Sequence, residues 1–277
     1  ALSVDILLGY TGLLSLGQAL YFGMGAYISA LILKEVPSFW TAMGVVLVAA
    51  LIVGTIAGLI ANRVRGVYFA LVTFGLAQVA ARAVYNTRSL GASDGLIGVP
   101  IVPIHLGVGT IMSNAPASFF IFTLGFIVIL YLASAYVLDT PFGRVLVALR
   151  ANERRVPFLG YSTRNARVAA YVLAAVIASL SGALYPMLRG FVSPELMFFA
   201  TSGNAVITVV TGGVGTLAGA LYGSVILTVL KSIIGSITEH HLILIGILFM
   251  ATVIFLPKGL MGLVRPWIEL RLGGGKR

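Results

Sequence analysis

Apolar residues in this chain gather in runs of around twenty, divided by short polar stretches, at about 5–33, 38–62, 66–88, 116–138, 168–188, 198–212, 216–235 and 241–257. A run of that length crosses the roughly 30 Å hydrocarbon layer of a bilayer as a helix. Strands of a membrane barrel would instead alternate apolar and polar residues over about ten positions. Helices and closed barrels are the two structures that pair every backbone group inside hydrocarbon, so the pattern selects helices. Two of the runs are irregular. Gly9, Gly12 and Gly17 interrupt the first, and Gly212, Gly213 and Gly215 divide the sixth from the seventh. The expected fold is all-α: one domain over residues 1–277, a polytopic transmembrane bundle of about eight segments, some of them broken or re-entrant.

Composition makes the membrane reading firm. Charged residues are 9% of the chain and hydrophobic ones 59%, whereas about a quarter of a soluble domain is charged. The few charges cannot cover a water-facing exterior. The formal net charge of +10 would suggest nucleic acid in a soluble protein, but here the positive residues cluster between apolar runs. Arg144, Arg150, Arg154, Arg155, Arg164 and Arg167 fill the loop over 139–167, and Lys258, Arg265, Arg271, Lys276 and Arg277 fill the tail. Arg63 and Arg65 mark a third basic turn, while Ser89 to Pro116 holds no Lys or Arg. Basic loops stay on the cytoplasmic side and meet anionic lipid or an acidic partner. The 139–167 loop and the tail are therefore expected inside, and 89–116 outside. Ala1 opens the chain inside an apolar run without Met or a cleavable signal pattern, so upstream helices are expected to precede it.

The chemistry on offer is sparse. There is no Cys, hence no disulfide or thiolate metal site. His105 and the pair His240–His241 lack metal-ligand spacing and are read as interfacial. Asp5 is a lone acid in the first run, a structural charge or a functional one. Without a chain of buried acids a proton-coupled carrier is disfavoured, and without a nucleophile and base an intramembrane enzyme is too. No phosphate-binding loop of the G-x-x-x-x-G-K-[ST] type is present, so ATP-driven work would need another chain to bind the nucleotide.

Two regions stand out as candidate machinery. Ser15–Gly23 is similar to Thr216–Gly223, and both follow a Gly-rich break; transporters built from repeated halves place the substrate path between such segments. Gly, Ala and Leu are also common in any membrane helix. Gly12, Ser15, Gln18, Tyr21, Asn204, Thr208, Gly212 and Gly213 are the candidate path residues. The second region is Thr140–Glu153. Pro141 suits a helix start, after which Val145, Leu146 and Leu149 share a face and Arg144, Arg150 and Arg154 lie largely elsewhere. Such a helix lies flat on the membrane surface, where it either anchors the loop to headgroups or fits a groove of an ATPase, with Gly160 turning the chain back. Gly54–Gly58 and Gly219–Gly223 are small-xxx-small pairs that allow close helix approach, within this chain or against a second one.

Leu7–Gly17 with Phe22–Tyr27, Ser93–Pro100, Pro141–Arg144 with Arg150–Glu153, and Gly190–Glu195 closely resemble the branched-chain amino acid ABC permease family, LivM-type subunits in particular. The resemblance covers nearly the whole chain, with four motifs in the family's order. It implies a non-enzymatic pore subunit with an ABC importer permease fold, in a bacterial or archaeal inner membrane. It further implies a heterodimer with a second permease subunit, two cytoplasmic ATPase subunits that bind the ATP, and an extracytoplasmic substrate-binding protein. The coupling residues so implied are Phe142, Gly143, Arg144, Arg150, Asn152, Glu153 and Gly160. The family often has His where Gln18 stands, so a substrate contact there is a departure. Permeases for urea and short amides are similar over the same motifs.

Overall fold

The helices of the computed structural model follow the apolar runs, and residues 1–105, 110–111 and 116–237 are described, with 246, 247, 250 and 259 in addition. In chain order they are α1 (Leu2–Thr11), α2 (Gln18–Glu35), α3 (Phe39–Ala61), α4 (Val67–Asn86), α5 (Pro116–Asp139), α6 (Pro141–Asn152), α7 (Thr163–Ala183), α8 (Tyr185–Arg189), α9 (Phe199–Gly212) and α10 (Leu217–Ile237). The predicted segment 241–257, the His240–His241 pair and the basic tail lie outside the described residues. Among the described residues five helical stretches are long and apolar enough to cross a membrane, Phe39–Ala61, Val67–Asn86, Ala117–Asp139, Thr163–Arg189 and Leu217–Ser236.

Two expected boundaries move. The run over 5–33 becomes two helices, because α1 ends in a π-helical turn, Ile6–Thr11, capped by Gly12 at φ 73°. Residues 13–17 are not helical, and α2 starts afresh at Gln18. The basic loop is also shorter than 139–167, since α7 begins at Thr163 with the Ser162 hydroxyl accepting from the Asn165 N–H at 3.4 Å. Arg164 and Arg167 sit on the first turns of that helix. Hydropathy missed these turns because an N-cap and polar first turn carry no apolar signal.

α7 lies at the centre, packed on α2 and α3; of the five long apolar stretches the one it forms is the most buried and that of α5 the least. Small residues set the α7 crossings. A Cβ added at Gly25 would lie 2.0 Å from the Ser179 carbonyl oxygen, and one at Gly182 would lie 1.9 Å from that of Phe22. The Ser29 hydroxyl donates to the Ala183 carbonyl across the same crossing at 2.9 Å. Lipid tails are as apolar as the side chains, so backbone approach and hydrogen bonds hold membrane helices together. Gly54 and Gly58 meet Ala175 and Tyr171 of α7, and Gly219 and Gly223 meet the α9 backbone. Both small-xxx-small pairs therefore pack within the chain.

The segment without basic residues adds a feature that periodicity does not show. Leu96–Ile97 pairs antiparallel with Phe191–Val192, and the Val99 N–H donates to the Gly190 carbonyl at 3.1 Å. The Ser93–Pro100 and Gly190–Glu195 motifs are thus one structure. Two-residue strands are too short to leave a period-two pattern. Ser93, in this segment, and Ala151, on α6, are both exposed. A single Cys at Ser93 is expected to react with an impermeant thiol reagent from outside only, and one at Ala151 from inside only. Labelling of both from one side would break the assigned topology.

Candidate translocation path and coupling surface

A break in a membrane helix frees N–H and C=O groups that cost several kcal/mol each unless they are paired. Every element flanking the first break contributes a partner. The Leu16 N–H donates to Thr73 Oγ1 of α4 at 3.2 Å, and the Ala19 N–H donates to Ser202 Oγ of α9 at 3.0 Å. Ser15, fully buried, accepts from the Gly17 N–H at 3.3 Å. Gly17 has no room for a side chain, since a Cβ would lie 2.6 Å from the Thr73 carbonyl oxygen. At the second break the Gly215 N–H donates to Asp5 Oδ1 at 2.7 Å. Asp5 is buried and therefore staples one break to the helix that leads into the other.

α2, α9, α7, α5, α10 and α1 line a half-open cavity of about 300 Å³ beside these breaks. Its wall is mostly apolar, including Phe22, Ile127, Ile177, Ala178 and Leu221. The hydroxyls of Ser181, Thr201 and Ser224 also line it, each donating to a backbone carbonyl, of Ile177, Glu195 and Leu221 respectively. Gln18 differs from them. Its side chain is 3% exposed, and neither Nε2 nor Oε1 has a partner. A carboxamide left so costs about 1–3 kcal/mol for each unsatisfied group, and here both amide atoms are shielded behind the cavity wall.

The other candidate path residues are placed differently. Tyr21 is buried edge-to-face on Tyr171 with ring centroids 5.8 Å apart. Asn204 accepts from the Lys231 ammonium at 3.0 Å, and the Thr208 hydroxyl donates to the Asn204 carbonyl at 2.7 Å. Gly12 flanks the stem of Arg150, 3.3 Å from its Cγ to an added Cβ. Gly212 and Gly213 form the tight α9–α10 turn, where a Cβ at Gly212 would lie 1.9 Å from the Gly219 carbonyl oxygen. Only Gln18 among the eight lines the cavity. The cavity hydroxyls escaped sequence reading because single Ser and Thr residues in apolar helices form no pattern.

At the arginine-rich end α6 lies across the base of the bundle with Val145, Leu146 and Leu149 buried. Gly143 makes the turn from α5, since a Cβ there would lie 1.9 Å from the Leu138 carbonyl oxygen, and Phe142 is half-buried. Asn152 Oδ1 accepts from the Arg154 N–H at 3.1 Å. Glu153 pairs with Arg65 at 3.2 Å and with Arg167, which ties the loop to the α3–α4 turn and to α7. Gly160, at φ 81°, closes the short helical turn Val156–Leu159. Among the outward residues are Arg144 with Phe158 and Leu159, the last two 89% and 65% exposed. They flank a shallow groove formed by Pro141, Arg144, Val145, Ala148, Val156, Leu159 and Tyr161. Arg150 is exposed as well, and its guanidinium donates to the Gly9 carbonyl.

Residues 1–253 match the family model described as branched-chain amino acid transport system / permease component. The chain belongs to that permease family. Among its relatives is the high-affinity branched-chain amino acid transport system permease protein LivM of Escherichia coli K12, 28% identical over 99% of this chain and 70% of LivM. LivM of Salmonella typhimurium LT2 is 28% identical over the same shares. LivH of Escherichia coli K12 is 23% identical over 97% of this chain and 91% of LivH. No solved structure matches the permease significantly. Membership, with the apolar helices, makes it a multi-pass membrane transport protein.

Proposed function

We propose that this permease is one pore subunit of an ATP-driven importer for branched-chain and other hydrophobic amino acids, with hydrolysis confined to separate ATPase subunits. The observation that carries the reading is the cavity at the broken helices: apolar walls for an aliphatic side chain, with one buried, unpartnered carboxamide. In this reading Gln18 turns toward the space by a change of rotamer, where Oε1 accepts from an ammonium and Nε2 donates to a carboxylate. Half-helix ends nearby supply partial charges of both signs without a full charge in the membrane. Gly12, Ser15, Tyr21, Asn204, Thr208, Gly212 and Gly213 shape and brace this route rather than line the cavity. Weak binding of this kind leaves specificity to an extracytoplasmic binding protein, and the second half of the path to a second permease subunit of the relatives' kind.

The outward surface of α6 supports ATPase drive. A headgroup anchor needs basic residues and a buried apolar face, but it does not need a rigid groove with Phe158 and Leu159 at its lip, braced by Gly143, Asn152, Glu153 and Gly160. An ATPase that receives Phe158 gains a large apolar anchor, the kind of residue that dominates interfaces. Phe158→Ala is expected to weaken ATPase binding to the permease by about 2 kcal/mol, read as loss of the ATPase subunits on co-purification while membrane insertion is normal.

Reconstitution with both permeases, the ATPases and the binding protein tests the whole reading. ATP-dependent accumulation of leucine that requires the binding protein is the expected result. Accumulation of urea or a short amide in preference to leucine would move the substrate assignment, and uptake that ignores ATP would end the importer reading.

A further inference from the structure

Arg150 joins three parts of the chain that hydropathy treats as separate. It stands near the end of α6, yet its guanidinium donates to the Gly9 carbonyl. In a π-helix that carbonyl would bond five residues on, at Leu14, which lies beyond the break. The second break is in contact as well, because a Cβ at Gly215 would lie 2.9 Å from Arg150 Nη1 and 3.2 Å from the Gly9 carbonyl oxygen. Gly12 flanks the Arg150 stem, 3.3 Å from Cγ to an added Cβ. Asp5, which holds the Gly215 N–H at 2.7 Å, is close enough for its charge to act on Arg150. The surface helix, the first break and the second break thus meet at one guanidinium.

We propose that Arg150 is a positioning residue that transmits movement of α6 to both glycine breaks, and that it does so inside this chain rather than by touching an ATPase. The proposal rests on the importer reading above. Its physical basis is the difference between the two ends of α6. Both arginines are exposed, but Arg144 lies over the shallow groove, whereas the guanidinium of Arg150 is held on a carbonyl with no helical partner. A displaced α6 therefore pulls on Gly9, and through Gly215 and Asp5 on the α9–α10 turn. Glycine at 215 leaves room for the guanidinium, glycine at 12 for its stem, and glycine at 9 for the close approach of Asp5 and Gly215. A planar five-donor fork can hold the carbonyl while staying close to the carboxylate, which a lysine ammonium does less well.

The test uses the reconstituted complex and reads three quantities together: ATPase subunits retained, ATP hydrolysis, and leucine uptake. Arg150→Gln is expected to retain the ATPases and hydrolyse ATP, but to lose about tenfold or more in leucine moved per ATP, the range of a single coupling interaction. Arg150→Lys should recover part of that loss. Gly215→Ala, which pushes on the guanidinium from the other side, should uncouple in the same way, and the double variant should be no worse than Arg150→Gln alone. A residue that merely stabilises the fold would lower all three quantities in proportion. Loss of ATPase retention in Arg150→Gln with normal coupling in Gly215→Ala would make Arg150 a docking residue and overturn the proposal. Unchanged coupling in both single variants would overturn it too. A wild-type complex without ATP-dependent uptake would instead remove the importer reading itself, a result distinct from either.

Discussion

Gly182→Val is expected to prevent assembly of the folded permease, with no monodisperse species after detergent extraction, and Gly25→Val to do the same. Both glycines sit where α2 crosses α7, the centre of the bundle. A Cβ at Gly182 would lie 1.9 Å from the Phe22 carbonyl oxygen, and one at Gly25 would lie 2.0 Å from that of Ser179. Each obstacle is backbone, which no rotamer change can move aside. The helices would have to separate by more than an ångström along the crossing, which also stretches the Ser29–Ala183 hydrogen bond of 2.9 Å. Overpacking of side chains alone costs about 1–3 kcal/mol, and a clash with backbone at a helix crossing exceeds that. The total stability of a domain is only about 5–15 kcal/mol. Gly44 and Gly125 provide controls, since a Cβ at either meets nothing within 4 Å. Gly44→Val and Gly125→Val should melt within about 1 kcal/mol of wild type. Wild-type melting of Gly182→Val would contradict the crossing.

Most of the fold was legible in the sequence, and for one reason. Apolar runs of membrane length leave a chain little choice but helix, so the runs over 38–62 and 116–138 correspond to α3 and α5 with their ends shifted by a few residues. What could not be read was what depends on contacts between distant residues. The glycines at 9, 12 and 17 announced an interruption, but not that residues 13–17 would be braced by Thr73 and Ser202 from other helices. Asp5 read as either structural or functional until the Gly215 N–H was found on its carboxylate. The Arg150 side chain belongs by periodicity to the polar face of a surface helix, and there it is exposed, but only tertiary packing shows its hydrogen bond to the Gly9 carbonyl. The pairing of the Glu153 carboxylate with Arg65 and Arg167 is likewise a contact that spacing along the chain does not show.

Ala205→Phe is expected to abolish leucine uptake in a complex that still assembles, whereas Gln18→Leu should leave uptake running with altered rate or selectivity. Ala205 lines the cavity on α9, partly exposed, and a phenyl ring there projects into the space of about 300 Å³ instead of into packed backbone. Folding should therefore tolerate it. Transport should not, because a solute that takes its hydrogen bonds from helix ends and one carboxamide depends on room more than on any one contact. Gln18→Leu tests the opposite quantity. It removes a buried amide whose donor and acceptor are both unpartnered, so the variant should be more stable by about 1–3 kcal/mol. A polar group that weakens the fold where it stands is commonly held there by function. The two variants separate volume from polarity on one wall of the same space. Full uptake by Ala205→Phe would place the solute's route elsewhere, most directly at the face shared with a second permease. A destabilised Gln18→Leu would show that the carboxamide is paired in the assembled complex and would remove it from the path.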